Sequence, residues 1–158
     1  MIRALTHHEI LSPEFWHLLW RSCESDDDTL HRVRRDILTE LSTIGAVESD
    51  TDDRDVVVGF ATYQLTERGV TIEYIATSEA AQGQGVGTQL VRALQRLYPG
   101  AVIFAQTDDD AIGFYRALGF VDAPAPRDAR WPERQRYDCA LHPSSRIHKP
   151  LDLGTDRS

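Results

Sequence analysis

The stretch EAAQGQGVGTQLVRAL, Glu79 to Leu94, carries glycine at three alternating positions, Gly83, Gly85 and Gly87, directly ahead of a helical pattern. Glycine is unfavourable inside a helix and is used where backbone must turn sharply or come close to something. A helix start has unpaired N–H groups and a partial positive charge, so glycines just before it let those donors reach an anion unobstructed. The oligophosphate of a nucleotide-like cofactor is the natural guest. Two phosphate loops are excluded by what is missing. A P-loop requires Lys and then Ser or Thr after its last glycine, and here Gly87 is followed directly by Thr88. A G-x-G-x-x-G fingerprint counted from Gly83 or Gly85 meets Thr88 or Leu90 where its third glycine belongs. On this stretch alone, a glycine-rich turn without a ligand remains open.

Outward from the glycines the chain alternates strand and helix patterns. Upstream, VTIEYIAT is rich in β-branched residues and reads as a strand, preceded by the hairpin of IGAVES and VVVGFATYQL. Further back, SPEFWHLLWRSCES reads as a helix with Ser12 as N-cap and Pro13 at its first position. TLHRVRRDILTEL is a second helix, with Leu30, Val33, Ile37, Leu38 and Leu41 on one face. IRALTH is a short first strand, and Phe15, Trp16 and Trp20 are expected in the core. Downstream of the glycines, Val86, Leu90, Val91, Leu94 and Leu97 form one helical stripe that YPG ends. AVIFAQ is a strand, and DDAIGFYRALGF is a short helix closed by Gly119 with Phe120 just beyond. APAPRDARWPE reads as a loop and RYDCAL as a last strand. This order predicts an α+β, mixed α/β layer around one sheet. Residues 1–141 form one domain, and 142–158 a flexible tail.

Composition narrows the function. The chain has 158 residues, 41% apolar and 27% charged, an ordinary globular mixture. A formal net charge of −8 disfavours general nucleic-acid binding. No apolar run is long enough for a membrane span. Cys23 and Cys139 alone make no disulfide framework, which suits a reduced, cytoplasmic chain. The acid clusters at Glu24–Asp28, Glu48–Asp55 and Asp108–Asp110 read as solvated loops or, alternatively, as an acidic mouth for cationic amines. His7-His8-Glu9 shows no metal-ligand spacing, since adjacent strand residues face opposite ways, and no metal is expected.

Gln82-x-x-Gly85-x-Gly87, set between a strand and a helix, resembles the acyl-coenzyme A loop of the GNAT superfamily of N-acetyltransferases. Downstream, Ala111-Ile112-Gly113-Phe114-Tyr115-Arg116-Ala117-Leu118-Gly119-Phe120 is similar to that family's A-x-x-F-Y-x-x-x-G-F helix. The likeness is close over Val70 to Phe120 and holds in outline elsewhere. It implies a mixed sheet whose neighbouring parallel strands, VTIEYIAT and AVIFAQ, splay apart. The pantetheine arm of coenzyme A would bond to backbone of Ile75, Ala76 and Thr77. The pyrophosphate would sit on N–H groups of Gln82, Gly83, Gln84, Gly85, Val86, Gly87 and Thr88. Ala111 and Phe114 would also line the cofactor. Asp108 stands where the family often has Asn, so it can accept a pantetheine N–H but, when ionised, cannot donate. Asp108 to Asp110 also read as caps of the helix that follows.

The activity the resemblance implies is transfer of an acetyl group from acetyl-coenzyme A to a primary amine, by direct attack in a ternary complex. The amine must lose a proton, since an alkylammonium has a pKa of about 10. Glu73 is the candidate base, directly or through a water; strand alternation would place it with Thr71 and Ile75, and opposite Ile72 and Tyr74. Its alternative is an ion pair with an arginine. Tyr115 is the candidate general acid for the leaving sulfur; alone, it reads equally as a core aromatic. The acceptor would be a small-molecule amine, amino acid or peptide amine. The loop of Arg127, Arg130, Arg134 and Arg136 around Trp131 would cover that acceptor site, bind a carboxylate or the cofactor's ribose phosphate, or stand as an exposed hairpin. Many relatives are dimers, which leaves a homodimer open. A non-catalytic acyl-coenzyme A sensor or partner-binding module is the alternative function.

Overall fold

A computed structural model of the chain describes residues 1–23 and 25–143; the expected tail, from Ser144 onward, lies outside the described residues. Strand β1 (Ile2–Ala4) leads into helices α1 (His7–Ile10), α2 (Pro13–Cys23) and α3 (Asp27–Thr39). Strands β2 (Ser42–Ser49), β3 (Asp55–Thr66) and β4 (Gly69–Thr77) follow. A 3-10 turn (Glu79–Ala81) and α4 (Val86–Leu97) come next, then β5 (Ile103–Asp108), α5 (Ile112–Ala117), β6 (Val121–Ala125) and β7 (Arg136–Leu141). The strands form one seven-stranded sheet in the spatial order β1-β2-β3-β4-β5-β7-β6. All neighbours are antiparallel except β4 and β5, which run parallel. Helices cover the sheet from both sides, the α+β class that the element order predicts.

Local chemistry explains the helix starts. Ser12 Oγ accepts the Phe15 N–H at 3.2 Å ahead of Pro13, as its sequence position predicts. Asp26 caps α3 by accepting the Thr29 N–H at 2.8 Å, and Asp27 and Asp28 occupy its first turn. Asp26 to Asp28 of the first acid cluster are therefore a helix start meeting its own positive end, not the wall of a mouth. Helix α1 was not expected. Thr6 and Glu9 form a capping box, with Thr6 Oγ1 accepting the Glu9 N–H at 3.2 Å and Glu9 Oε1 accepting the Thr6 N–H at 3.0 Å. Arg3 forks onto Glu9 at 2.8 and 2.9 Å and holds its carboxyl down at about 2. His7-His8-Glu9 is thus helical rather than extended. Among the described residues no group of three or more His, Cys, Asp or Glu is placed to hold a metal ion. No helix of the described residues is long and apolar enough to cross a membrane.

Two cores result. On one side α4 and α5 bury Val86, Leu90, Val91, Leu94 and Tyr115 against Ile44, Ala61, Val70, Ile72 and Ile103. On the other, α1, α2 and α3 bury Ile10, Phe15, Leu18, Leu19, Leu30 and Ile37 against Val47, Val57 and Phe60. Leu97 departs from its stripe and is exposed, as is Trp20, while Trp16 lies beside His31 and under Arg34. Of the three early aromatics only Phe15 is fully buried; Trp16 is partly buried against the same core and Trp20 is exposed. Strand β6 takes the first part of the expected loop. It lies at the sheet edge, where Pro124 removes no needed N–H.

The pairing that matters most is the shortest. Strands β4 and β5 are in register only at Val70↔Ile103 and Thr71↔Phe104. That end is pinned by the Val70 N–H, which donates to the Val102 carbonyl at 2.9 Å. Gly69 has φ +144°, and a Cβ there would collide with the Val102 carbonyl oxygen. Gly69→Ala is therefore expected to cost about 3 kcal/mol of stability, measured as a lowered urea midpoint. An unchanged midpoint would show that the pinned end yields freely.

Candidate active site

Beyond Thr71 the two parallel strands diverge, and β4 carries a bulge at the point of divergence. Tyr63 opposes Ile72 but Thr62 opposes Tyr74, so Glu73 is the extra residue. The fully buried Thr62 holds the bulge by accepting the Tyr74 N–H on Oγ1 at 3.1 Å. The bulge resets strand alternation. Ile75 joins Val70 and Ile72 on the α4 side, whereas Tyr74 and Ala76 pack toward α2 and α3. The expected grouping of Glu73 with Ile75 therefore fails; Glu73 and Tyr74 instead line one cavity together. An extra residue inverts every side chain after it, and nothing in VTIEYIAT announces one.

Two cavities lie along β4. The first, about 460 Å³, is lined by Ile75, Ala76, Thr77, Gln82, Gly83, Gly85, Val86, Gly87, Thr88, Ala111, Phe114 and Tyr115, with Ala81. It thus gathers most of the residues that the sequence assigns to cofactor and acid. The glycines serve different purposes. Gly83 and Gly85 have φ +77° and +76°, with nothing near where a Cβ would stand. They need the left-handed conformation and leave the turn open to solvent. Gly87 instead yields room to the Phe114 ring, which a Cβ would meet at 3.0 Å. The N–H groups of Gln82 and Gln84 are taken by the carbonyls of Glu79 and Ala81 at 3.2 and 3.3 Å. Those of Gly83, Gly85, Val86, Gly87 and Thr88 have no partner among the described residues. They leave a row of free donors at the start of a helix of three turns, an arrangement that can hold an anion. Gln84 does not line the cavity; its side chain donates to the Ala80 carbonyl at 3.3 Å.

Tyr115 is fixed by the end of its own helix. The Phe120 N–H donates to the Tyr115 carbonyl at 3.1 Å and the Gly119 N–H to the Arg116 carbonyl at 3.0 Å, a Schellman stop with Gly119 at φ +98°. The Phe120 ring then meets the Tyr115 ring edge-on at 5.2 Å, and Phe114 does the same from the other side at 5.1 Å. Burial pushes the Tyr115 hydroxyl up to about 12.

The second cavity, about 390 Å³, lies on the other side of the bulge. Glu73 and Tyr74 line it together with Gln106, Asp108 and Asp110 from the β5 end, Arg21, Cys23 and Thr29 from the helices, and Asp128, Arg130, Trp131, Arg134 and Arg136 from the loop before β7 and its first residue. Asp108 is therefore on this side of the gap, away from the glycine turn. The Asp108–Asp110 run does not cap α5, whose N-cap position is Ala111 without a side-chain bond. Asp108 and Asp110 pair with Arg134 at 3.5 and 3.3 Å, and Asp109 accepts the Gln135 N–H and the Tyr137 hydroxyl. The run ties the start of α5 to the loop instead. Arg127 is turned away onto the Pro132 carbonyl. Partial burial raises Glu73 above the ordinary carboxylate range, and among the described residues no cation lies within ion-pair distance of it. Burial likewise raises the Cys23 thiol, which leaves it protonated near neutrality. Sequence reasoning missed Tyr74, Arg21 and Gln106, which chain distance separates and only the fold assembles.

The family model of the acetyltransferase (GNAT) family matches residues 12–120, and the chain belongs to that family. No curated protein sequence matches the chain. Solved structures share the fold. An aminoglycoside 6′-N-acetyltransferase complexed with coenzyme A has a TM-score of 0.71 at 17% identity, over 90% of this chain and 96% of that one. The ribosomal-protein-S18-alanine N-acetyltransferase from Escherichia coli has a TM-score of 0.68 at 18% identity, over 90% and 92%. A histone acetyltransferase HPA2 and related acetyltransferase from Corynebacterium glutamicum has 0.66 at 17%, over 91% and 96%.

The stop at Gly119 yields a direct test. Gly119→Ala forces a side chain into the left-handed region at a cost of about 1–2 kcal/mol. A lowered thermal midpoint with loss of near-ultraviolet tyrosine dichroism is expected; unchanged dichroism would mean that Tyr115 is held by other contacts.

Proposed function

We propose that the chain moves the acetyl group of acetyl-coenzyme A onto a primary amine of a small molecule, amino acid or peptide, by direct attack in a ternary complex. The observation that carries this reading is the opening between β4 and β5, which ends at a helix start with unpartnered N–H donors. The residues fit the donor substrate. A diphosphate suits the cradle of Gly83 to Thr88, and the β4 edge at Ile75 to Thr77 has no strand partner toward β5. Coenzyme A supplies an acetyl thioester, already activated toward an amine.

The chain's own groups handle the protons. Glu73, on the wall of the second cavity, takes a proton from the incoming ammonium, directly or through a water. Each pKa unit by which burial raises Glu73 brings it about 1.4 kcal/mol closer to its task. Main-chain N–H groups along the open strand edge face the charge that develops on the acetyl oxygen. Tyr115, with its hydroxyl at about 12, keeps its proton near neutrality. A free thiol titrates near 8.5, so complete transfer from this phenol runs uphill by roughly 5 kcal/mol. Tyr115 therefore donates a hydrogen bond to the departing sulfur rather than surrendering its proton outright. Cys23, protonated and half-buried, is not needed as a nucleophile.

Acetyl-coenzyme A offered with a panel of amines should release free thiol; binding without release for every amine would favour the sensor reading. Tyr115→Phe should lower kcat by roughly 10²-fold with little change in coenzyme A affinity by calorimetry. An unchanged kcat would remove Tyr115 from the chemistry. Glu73→Gln should abolish the acid limb of kcat/KM, since wild-type activity falls as pH drops through the raised Glu73 pKa. The same change should raise the thermal midpoint at neutral pH. A carboxyl whose folded pKa is raised loses stability as pH climbs from the unfolded value through the folded one, and glutamine removes that loss. A retained acid limb would assign the base elsewhere.

A further inference from the structure

The acceptor-side cavity holds four arginines, Arg21, Arg130, Arg134 and Arg136, and four carboxylates, Glu73, Asp108, Asp110 and Asp128. The chain's net charge of −8 therefore does not extend into it. Most of these charges are spent on one another or on the wall. Arg21 pairs with Glu79, Arg130 with Asp128, and Arg134 with both Asp108 and Asp110. Two poles are left without an ion pair among the described residues: the carboxylate of Glu73 and the guanidinium of Arg136.

Their positions differ. Glu73 is the bulge residue of β4, whereas Arg136 begins β7 opposite Asp108, two strands away. Asp108, the cross-strand neighbour of Arg136, makes its ion pair with Arg134 instead and lies outside ion-pair distance of Arg136. Trp131 belongs to the same cavity wall, under the Arg130 guanidinium at 4.5 Å. The cavity wall thus carries both signs of charge, with Glu73 as an unpaired negative pole, Arg136 as an unpaired positive one, and an aromatic side. Resting on the acetyl-transfer reading, we infer that the acceptor amine carries a carboxylate at its other end, which Arg136 receives while the amine faces Glu73. A guanidinium fork matches a carboxylate in two parallel hydrogen bonds. One unpaired cation balances one negative charge, which favours a carboxylate over a phosphate carrying about −1.5 to −2. A polycationic amine would bring one charge to Glu73 and set the rest against Arg136. The size, about 390 Å³, suits a small molecule or a short peptide end.

Matched pairs of amines test this: amino acids against their amides, ω-amino acids against the corresponding alkylamines and aminoalkyl phosphates, and a linear polyamine. Thiol release is read with acetyl-coenzyme A at saturation. The carboxylate member of each pair should show a kcat/KM at least about tenfold higher, the effect of one charge-assisted pair, carried mainly by KM. Arg136→Met should collapse that ratio toward one by raising KM for the carboxylate member, and Arg136→Lys should restore part of it. Retained coenzyme A binding by calorimetry shows that the variants are folded. Amides, phosphates or polyamines used as well as the carboxylates, or a ratio unmoved by Arg136→Met, would overturn this inference and leave acetyl transfer standing. No thiol release with any amine, while acetyl-coenzyme A binds, would overturn acetyl transfer and this inference with it.

Discussion

Strand β4 hydrogen-bonds to β5 only around Val70 and Thr71, and the remaining two-thirds of the strand has no partner on that side. A parallel pair that opens in the middle of a sheet leaves main-chain donors and acceptors unpaired, a cost that folding avoids unless something else takes them. Here the opening is built. Gly69 lets the strand begin hard against Val102, and the bulge at Glu73, held by buried Thr62, turns the strand away from its neighbour. From this one divergence follow the gap, the two cavities along β4 and the place of Glu73 on the wall of the second.

Each flank of the gap is fixed by a helix terminus. On one side the glycine turn leaves the first N–H groups of α4 unpartnered, with Gly83 and Gly85 supplying backbone conformation and Gly87 supplying room for Phe114. On the other, the Schellman stop of α5 locks Tyr115 between two aromatic rings. The same packing that orients the phenol also desolvates it, which makes it a steady hydrogen-bond donor and a poor proton source. Position and protonation are thus set by one set of contacts.

Charge in this chain is local rather than global. The acidic excess is spent on helix starts, as at Asp26 to Asp28, on the β2–β3 turn, where Asp50 accepts the Asp52 and Arg54 N–H groups, and on loop ties such as Asp109. What remains in the second cavity is a mixed set of both signs whose internal pairs hold its walls. The net charge of a chain says little about the field inside one of its cavities, because neighbouring opposite charges cancel over a few ångströms.

Features that depend on near neighbours were legible in the amino-acid order. Ser12-Pro13 marked the start of α2, the alternating glycines and the stripe behind them gave α4 and its open turn, and Gly119-Phe120 gave the stop that holds Tyr115. The Thr6–Glu9 capping box was equally local, yet its helix was read as strand because Ile2 to Ala4 does begin extended. Capping, left-handed turns and helical periodicity each span a few residues, so the sequence by itself determined them. The bulge at Glu73, the place of Asp108 in the second cavity and the choice of which arginine stays unpaired were decided only by the tertiary structure. Each of these depends on a partner far along the chain, Thr62 for the bulge and Arg134 for Asp108, and such pairings exist only once the sheet has set its register.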